Sequence, residues 1–346
     1  MKKPILIISS DWHIKPSNID SIIELIKQKI KLAKKLNCTN LACLGDIFQS
    51  RQSQPLSVLK CFEIILDLIK EAEMELVCIS GNHDKTDYQS TNSFLDQFQW
   101  HPALKLIRIY EGLLIKDDIK LWFLPFFEEK LWLDDFDENI INKVKEQDKY
   151  KHILMSHQSF NGSVNNDGSK QENSLKVGLF KDFFKVFLGH FHNMHQIGKN
   201  IYHLPSIQAN NFGENNEKGF TVLYDDGSHE LIQSTFSKYE TIKIDLDKTS
   251  KKDLNKLITS HGGSDDHIRF KLIGAEEKIK AIKKEEFSVA GIEVTCDITD
   301  AEYEALEIEQ VELTKDTIKD EFKVWCDKNE KDYNTGIEYI NKKFGK

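Results

Sequence analysis

Three short apolar runs near the amino terminus, at residues 5–10, 41–44 and 75–79, alternate with two stretches whose apolar residues recur every three or four positions. Ile22, Ile26, Ile30 and Ala33 share one face of the first stretch, and Leu59, Phe62, Leu66 and Ile69 share one face of the second. That spacing predicts helices between strands. The alternation specifies an α/β fold on a largely parallel sheet, because parallel strands need crossovers and the helices then cover the faces. In such sheets functional groups collect in the loops at the carboxyl ends of the strands, and each of these runs ends there in a polar motif.

Further strands are expected near 105–110, 119–125, 153–156 and 186–188, with a charged helix over 128–149. A polar, glycine-containing loop at 161–173 lies between two histidine motifs, so substrate contact is expected of it beside its plain role as a connection. Short runs between 200 and 235, with turn signals such as Asn210-Asn211 and Asp226-Gly227, read as antiparallel strands completing an α/β sandwich. The pattern changes near 236, where strands at 241–244, 267–273 and 291–298 alternate with helices from 250 and over 276–286. With 346 residues to place, two domains are the natural expectation at about 150 residues each. We expect a main domain over 1–235, a smaller one over 236–303 and a helical segment over 304–346. In that segment Ile318, Phe322 and Trp325, then Tyr333, Ile337, Ile340 and Phe344, form an apolar stripe that must pack on its own domain or on a partner helix.

Composition excludes several classes. Residues are 40% hydrophobic and 30% charged, a mixture that folds rather than staying disordered. The longest apolar run, 121–127, contains Pro125 and is far short of the roughly 20 residues of a membrane span. No signal-peptide core follows Met1, so a cytoplasmic protein is expected, in the host cytoplasm if a phage encodes it. The six cysteines show no paired spacing and read as reduced, mostly buried thiols. A net charge of −9 argues against a general basic coat for nucleic acid while leaving room for local patches or bound cations.

Five motifs carry the chemistry: Asp11-Trp12-His13, Gly45-Asp46, Gly81-Asn82-His83-Asp84, Ser156-His157 and Gly189-His190-Phe191-His192. Singly, each has an ordinary reading as a structural histidine or a turn. Together they bring Asp11, His13, Asp46, Asn82, His157, His190 and His192 to the ends of expected strands, the inventory of a site for two divalent cations. The DxH and HxH spacings put residues i and i+2 on one side of an extended chain, which would turn Trp12 and Phe191 into the core. Two divalent ions against two carboxylates leave a charge of about +2, suited to a hydroxide and a singly charged phosphodiester clamped for in-line displacement. Oxygen and imidazole donors without cysteine would accept manganese, iron or zinc.

The ordered set DxH, GD, GNHD, H and GHxH, spanning the first 192 residues, resembles the calcineurin-like metallophosphoesterases. The resemblance implies a four-layer β-sandwich flanked by helices. It implies Asp11, His13 and His192 on one metal ion, Asn82, His157 and His190 on the other, and Asp46 bridging both. His83 would stay off the metals and stabilise the transition state or protonate the leaving oxygen, and Asp84 would orient His83. The implied cofactors are two divalent ions, Mn2+ foremost, with Mg2+, Fe2+ or Zn2+ as alternatives.

Three further stretches resemble the SbcD-like recombination and repair nucleases, their bacteriophage counterparts in particular. These are Asp46-Ile47-Phe48-Gln49-Ser50-Arg51, then Pro205-Ser206-Ile207-Gln208 leading to Asn211-Phe212-Gly213-Glu214, and Lys218-Gly219-Phe220. That resemblance implies a 3′-to-5′ exonuclease on duplex DNA and an endonuclease on single strands, acting in DNA end processing, recombination and repair. It also implies a small α+β capping domain that positions DNA, C-terminal helices that bind an SbcC-like ABC-type coiled-coil ATPase, and a homodimer. Two departures stand out: Gln49 replaces a histidine of some relatives, and Pro205-Ser206-Ile207 replaces a common Gly-Ser-Pro.

Lys15, Lys170 and Lys176 lie near motif loops and are expected to contact DNA, since phosphate contacts normally come from lysine and arginine. A metallophosphatase or cyclic-nucleotide phosphodiesterase is the rival reading, and it leaves residues 236–346 without a purpose. A noncatalytic scaffold is a third, opposed by all seven ligand positions being filled. His195 and His203 sit beside the last motif yet read as structural, and His101, His152, His229, His261 and His267 have no motif context.

Overall fold

Alternate residues of the first three strands, β1 (Pro4–Ser9), β2 (Asn40–Leu44) and β3 (Glu75–Ile79), enter two different cores. Ile7, Leu41, Cys43, Leu76 and Cys78 pack outward with the apolar faces of helices α1 (Ile19–Leu36) and α2 (Leu56–Glu71). Leu6, Ile8, Ala42, Leu44, Val77 and Ile79 pack inward. This is the period-two consequence of a pleated strand with both faces covered. The computed structural model describes residues 2–116, 118–172, 174–298 and 315–328, with Tyr333 and Ile337.

β1, β2 and β3 pair in parallel, and β4 (Leu104–Ile107) extends the set beside β3. The chain then builds a second sheet from β5 (Glu111–Lys116), β6 (Ile119–Leu124), β7 (Lys151–His157), β8 (Lys185–Gly189), β9 (His195–Ile197) and β10 (Ile201–His203). Its order is β5-β6-β7-β8-β10-β9, with β6, β7, β8 and β10 parallel. β11 (Gly219–Tyr224) returns to the first sheet antiparallel to β1, and β12 (His229–Gln233) closes the edge, giving β12-β11-β1-β2-β3-β4. Both sheets are therefore mixed, with parallel strands at their centres; β10, expected among antiparallel strands, pairs parallel to β8 and is antiparallel only to β9.

Leu121, Phe123, Ile153, Met155 and Phe187 meet the inward residues of the first sheet and form the core of the sandwich. On the opposite face of the second sheet, Trp122, Leu154, Val186 and Leu188 pack with Trp132, Phe136, Ile140 and Val144. Those four come from the expected charged helix, which is α3 (Glu129–Asp135), a π turn over Phe136–Ile141 and α4 (Asn142–Glu146). The result is four layers: helices, sheet, sheet, helices.

A third, three-stranded sheet has the order β13 (Tyr239–Asp245), β14 (His267–Gly274), β15 (Ile292–Ile298), with α5 (Lys251–His261) preceding β14. The helix expected over 276–286 is two short ones, Glu276–Lys280 and Lys284–Val289, because Lys283 takes an extended conformation (φ −90°, ψ 96°). Two compact units result. One is Met1–Lys243, Lys251–Lys271 and Lys283–Thr295, and the other is Ile244–Ser250, Leu272–Ile282 and Cys296–Lys346. In the second, the helix Lys315–Lys328 carries Phe322 stacked on Trp325 at 6.2 Å. Ile340 and Phe344 of the expected stripe lie outside the described residues. No described helix is long and apolar enough to cross a membrane, and Cys38, Cys43, Cys61 and Cys78 are buried thiols.

Lys29 interrupts the apolar face of α1 and is 1% exposed. Its Nζ donates to Ser9 Oγ and to Ala42 O, both at 2.8 Å, and Ser9 Oγ also accepts from Trp12 Nε1 at 3.0 Å. A buried ammonium thus anchors the residue between Asp11 and His13 from beneath the sheet. Burial lowers the Lys29 pKa to about 8. Between that value and the ordinary lysine value of 10.5 the unfolded chain binds the extra proton, so stability rises with pH across this window, by on the order of 3 kcal/mol. Lys29→Met should abolish that rise and leave the protein more stable than wild type at pH 7, as measured by urea unfolding at a series of pH values.

Candidate metal centre

The loops after β1 and β2 are zipped together: Asp11 N–H donates to Gly45 O (3.0 Å), His13 N–H to Asp46 O (3.0 Å) and Ile14 N–H to Ile47 O (2.8 Å). Asn18 holds the first loop, accepting from Lys15 N–H at 2.8 Å and donating to His13 O at 3.0 Å. Asp11, His13, Asp46 and His190 all have left-handed backbones, with φ of 53°, 48°, 54° and 92°. Such conformations cost non-glycine residues about 1–3 kcal/mol each and persist where the surroundings impose them. This corrects the expectation from the pleat. Asp11 and His13 face one site with both of their own backbones left-handed, while Trp12 and Phe191 are buried as expected.

Two clusters of donor atoms result. In the first, His13 Nε2 lies 2.9 Å from His192 Nε2, 3.8 Å from Asp11 Oδ1 and 3.7 Å from Asp46 Oδ2. In the second, His157 Nε2 lies 3.4 Å from Asp46 Oδ1 and 3.1 Å from Asn82 Oδ1, with His190 Nδ1 2.9 Å from the same Asn82 oxygen. Asp46 thus offers one oxygen to each cluster. Asp11, His13, Asp46, Asn82 and His157 are buried, whereas His190 and His192 are half-buried and mark the open side.

The tautomers are fixed from behind. His157 Nδ1 donates to Leu44 O at 2.6 Å, leaving Nε2 to face the cluster. His192 Nδ1 donates to Glu214 Oε1 at 2.8 Å, and Glu214 Oε2 pairs with Lys218 Nζ at 2.9 Å, both side chains being fully buried. Burial would raise the Asp46 carboxyl, but the charge of His157 and its hydrogen bond hold it well below the usual range. Burial would likewise lower His157, yet Asp46 lifts it to about 9. Burial takes His13 and His190 down to about 3, which keeps their lone pairs available. Burial opposes the charge on Glu214 too, but His192 and Lys218 bring it to about 2.

His83 lies at the rim, its ring 4.8 Å from that of His13. Its Nδ1 donates to Gln49 O at 2.6 Å and its Nε2 accepts from Arg51 Nη2 at 2.9 Å. The expected orienting role of Asp84 is not what the structure has. Asp84 accepts from Phe48 N–H (3.0 Å) and Gly81 N–H (2.8 Å), so it staples the two loops, and the Gln49 carbonyl sets the imidazole. Burial, with Asp46 nearby, raises Asp84 to about 7.

The donors fit divalent cations. Two imidazole nitrogens 2.9 Å apart, one on buried His13 and one on half-buried His192, beside two carboxylates need a proton or a cation among them, and a mixed nitrogen–oxygen set suits hydrophilic first-row divalent ions. The groups Asp11/His13/His192 and Asp46/His157/His190 could each hold an ion, as could His13/Asp46/His83. Compared with known proteins, residues 4–194 match the model of the calcineurin-like phosphoesterase family, more than half of the chain. The protein belongs to that family, a family of phosphoesterases that use divalent metals. It is similar to "Putative phosphoesterase 244L" of Invertebrate iridescent virus 6, 24% identical over 299 residues that cover 81% of this chain and 97% of the relative. Among solved structures it matches the Pseudomonas putida nuclease MPE at 14% identity and a TM-score of 0.27, over 58% of this chain and 67% of that one.

Of the lysines expected at the substrate, Lys15 is half-buried beside Asn18, in a cleft of about 290 Å³ that also takes in Gln208 and Tyr239. Lys170 bridges to Val164 and Lys176 precedes the short helix Val177–Phe180; both are exposed on the loop side of β7. His203 and His195 are structural, His203 Nε2 bonding to Ser163 Oγ and His195 Nε2 accepting from Val164 N–H. The sequence reading did not assign roles to Glu214, Lys218 or Arg51; a Glu–Lys pair four residues apart ordinarily marks a solvated face.

Gly45 is one of the tight points of the assembly. It has φ 85°, and a Cβ there would lie 2.6 Å from Gly81 N and 2.7 Å from His157 Nδ1. Gly45→Ala should destabilise the protein by about 1–3 kcal/mol and displace His157. Urea unfolding and calorimetric Mn2+ titration would register both effects.

Proposed function

We propose that the protein is a two-metal DNA nuclease, a 3′-to-5′ exonuclease on duplex ends and an endonuclease on single strands, that works in DNA end processing, recombination and repair. The observation that carries phosphodiester hydrolysis is the pair of donor clusters sharing Asp46. Asp11, His13 and His192 would hold one ion, Asn82, His157 and His190 the other, and Asp46 both, with Mn2+ as the working metal. The choice of DNA rests on the resemblance of residues 46–51, 205–214 and 218–220 to SbcD-like nucleases, and on the chain beyond 235 that a small-substrate phosphatase would not need. On this reading 236–303 caps the site, the helical segment after 304 docks an SbcC-like ATPase, and the active form is a homodimer.

Bound divalent ions would supply Lewis-acid charge for the phosphoryl oxygens and a water activated for attack. The residues of the chain do the rest. Asp46 fixes the spacing of the two clusters, and the buried walls around Asp11 and His157 exclude bulk water. His83, seated on the Gln49 carbonyl at the open rim with Nε2 facing Arg51, would stabilise the transition state or protonate the leaving oxygen once substrate takes the place of the Arg51 contact. Arg51, exposed and in contact with that nitrogen, offers a planar cation to the phosphodiester beside it.

The test is a Mn2+ titration of activity on linear duplex DNA, a single-stranded circle and p-nitrophenyl phosphate. Wild type should cut both DNAs, His83→Gln should lower the rate constant about 10²- to 10⁴-fold, and Arg51→Ala should chiefly raise the KM for DNA. Activity confined to the monoester would replace this reading with that of a phosphatase.

A further inference from the structure

The geometry behind His192 points to a role for the segment after β10: we propose that Glu214, held by Lys218, is the positioning residue that would aim His192 at a metal ion. This inference rests on the two-cluster reading of the site. Glu214 comes from a stretch outside all five motifs, yet both oxygens of its buried carboxylate are taken up by partners, His192 among them. Oε1 accepts from His192 Nδ1 at 2.8 Å and from Asn211 Nδ2 at 2.9 Å. Oε2 meets Lys218 Nζ at 2.9 Å and lies 3.5 Å from Ser206 Oγ.

Lys218 closes the loop on itself. Its Nζ also donates to the main-chain oxygen of His192 at 2.6 Å and to Asn193 Oδ1 at 3.0 Å. One ammonium therefore holds both the carboxylate behind the His192 ring and the backbone that bears the ring. Both charges are fully buried, and a buried ion pair is a poor choice for stability alone, since apolar residues of similar size do as well or better. Its geometry serves direction instead: a carboxylate on Nδ1 forces the proton onto that nitrogen, makes Nε2 the ligand atom and raises its basicity.

The His192 ring is 20% exposed, on the open side that it shares with His190, while His13 and His157 are buried. Its neighbour His157 takes its orientation from a main-chain carbonyl on a strand, Leu44 O. His192 sits on a loop beyond β8, where packing cannot do the same, and the Glu214–Lys218 pair supplies what the strand supplies elsewhere.

The experiment is calorimetric titration of MnCl2 into metal-free full-length wild type, Glu214→Gln and the charge-neutral double variant Glu214→Gln/Lys218→Met, with circular dichroism and thermal melting of the metal-free forms. Wild type should take up two ions. Both variants should keep one site at wild-type affinity and bind the other about 10- to 100-fold more weakly, a selective loss that general loosening of the fold would not produce. Folded variants that bind two ions as wild type does would overturn the inference. A wild type that takes up no Mn2+ would instead overturn the metal-centre reading beneath it. Should neither variant fold, long-range 1H–15N spectra of metal-free wild type, assigned through His192→Gln, decide the matter: a hydrogen-bonded proton on His192 Nδ1 supports the inference, and its absence overturns it.

Discussion

Asp46 stands between two sets of lone pairs with one carboxylate oxygen turned to each, and much of the domain is arranged to keep it there. It is buried, ionised and left-handed in its backbone at once, three conditions that an isolated loop would not tolerate together. Its charge is held by His157, its backbone by the zipper to the β1 loop, and one carboxylate oxygen by the amide of His83. Gly45 and Gly81 meet beside it closely enough that neither position has room for a methyl group. Strain of this kind is sustainable only because the sandwich core beneath it is large and interdigitated.

The strands and their partners in the catalytic half were legible because apolar periodicity is a local property. Residues 5–10, 41–44 and 75–79 alternate between two cores, and α1 and α2 show the apolar faces read from Ile22 to Ala33 and from Leu59 to Ile69. The convergence of the five motifs was legible for the same reason, since parallel strands deliver their carboxyl ends to one edge. What could not be read were contacts between residues far apart in the chain that follow no period. Asp84 stands next to His83 in sequence, yet its oxygens go to the amides of Phe48 and Gly81, and the ring of His83 is set by a main-chain oxygen that has no sequence signature. The handedness of Asp11 and His13 was equally hidden, because aspartate and histidine carry no glycine-like mark of a positive φ.

Lys29 and Lys218 illustrate a second limit. In a chain with so many lysines, the ordinary expectation for each is a solvated tip. These two are buried, and each braces a loop of the centre, Lys29 through Ser9 and Trp12, Lys218 through Glu214 and the main chain of His192. Only the three-dimensional environment separates them from their exposed neighbours.

The centre draws Asp11, His13, Asp46 and Asn82 from loops of one sheet and His157, His190 and His192 from strand ends of the other. Any cation held among them is therefore a rivet through both halves of the sandwich, and its binding free energy adds to the cohesion of the native state. Coupling of that kind runs in both directions. A substitution deep between the sheets that lets them slip by a fraction of an ångström is felt as weaker ion retention, and scarcity of the ion in the surroundings is felt as a softer core.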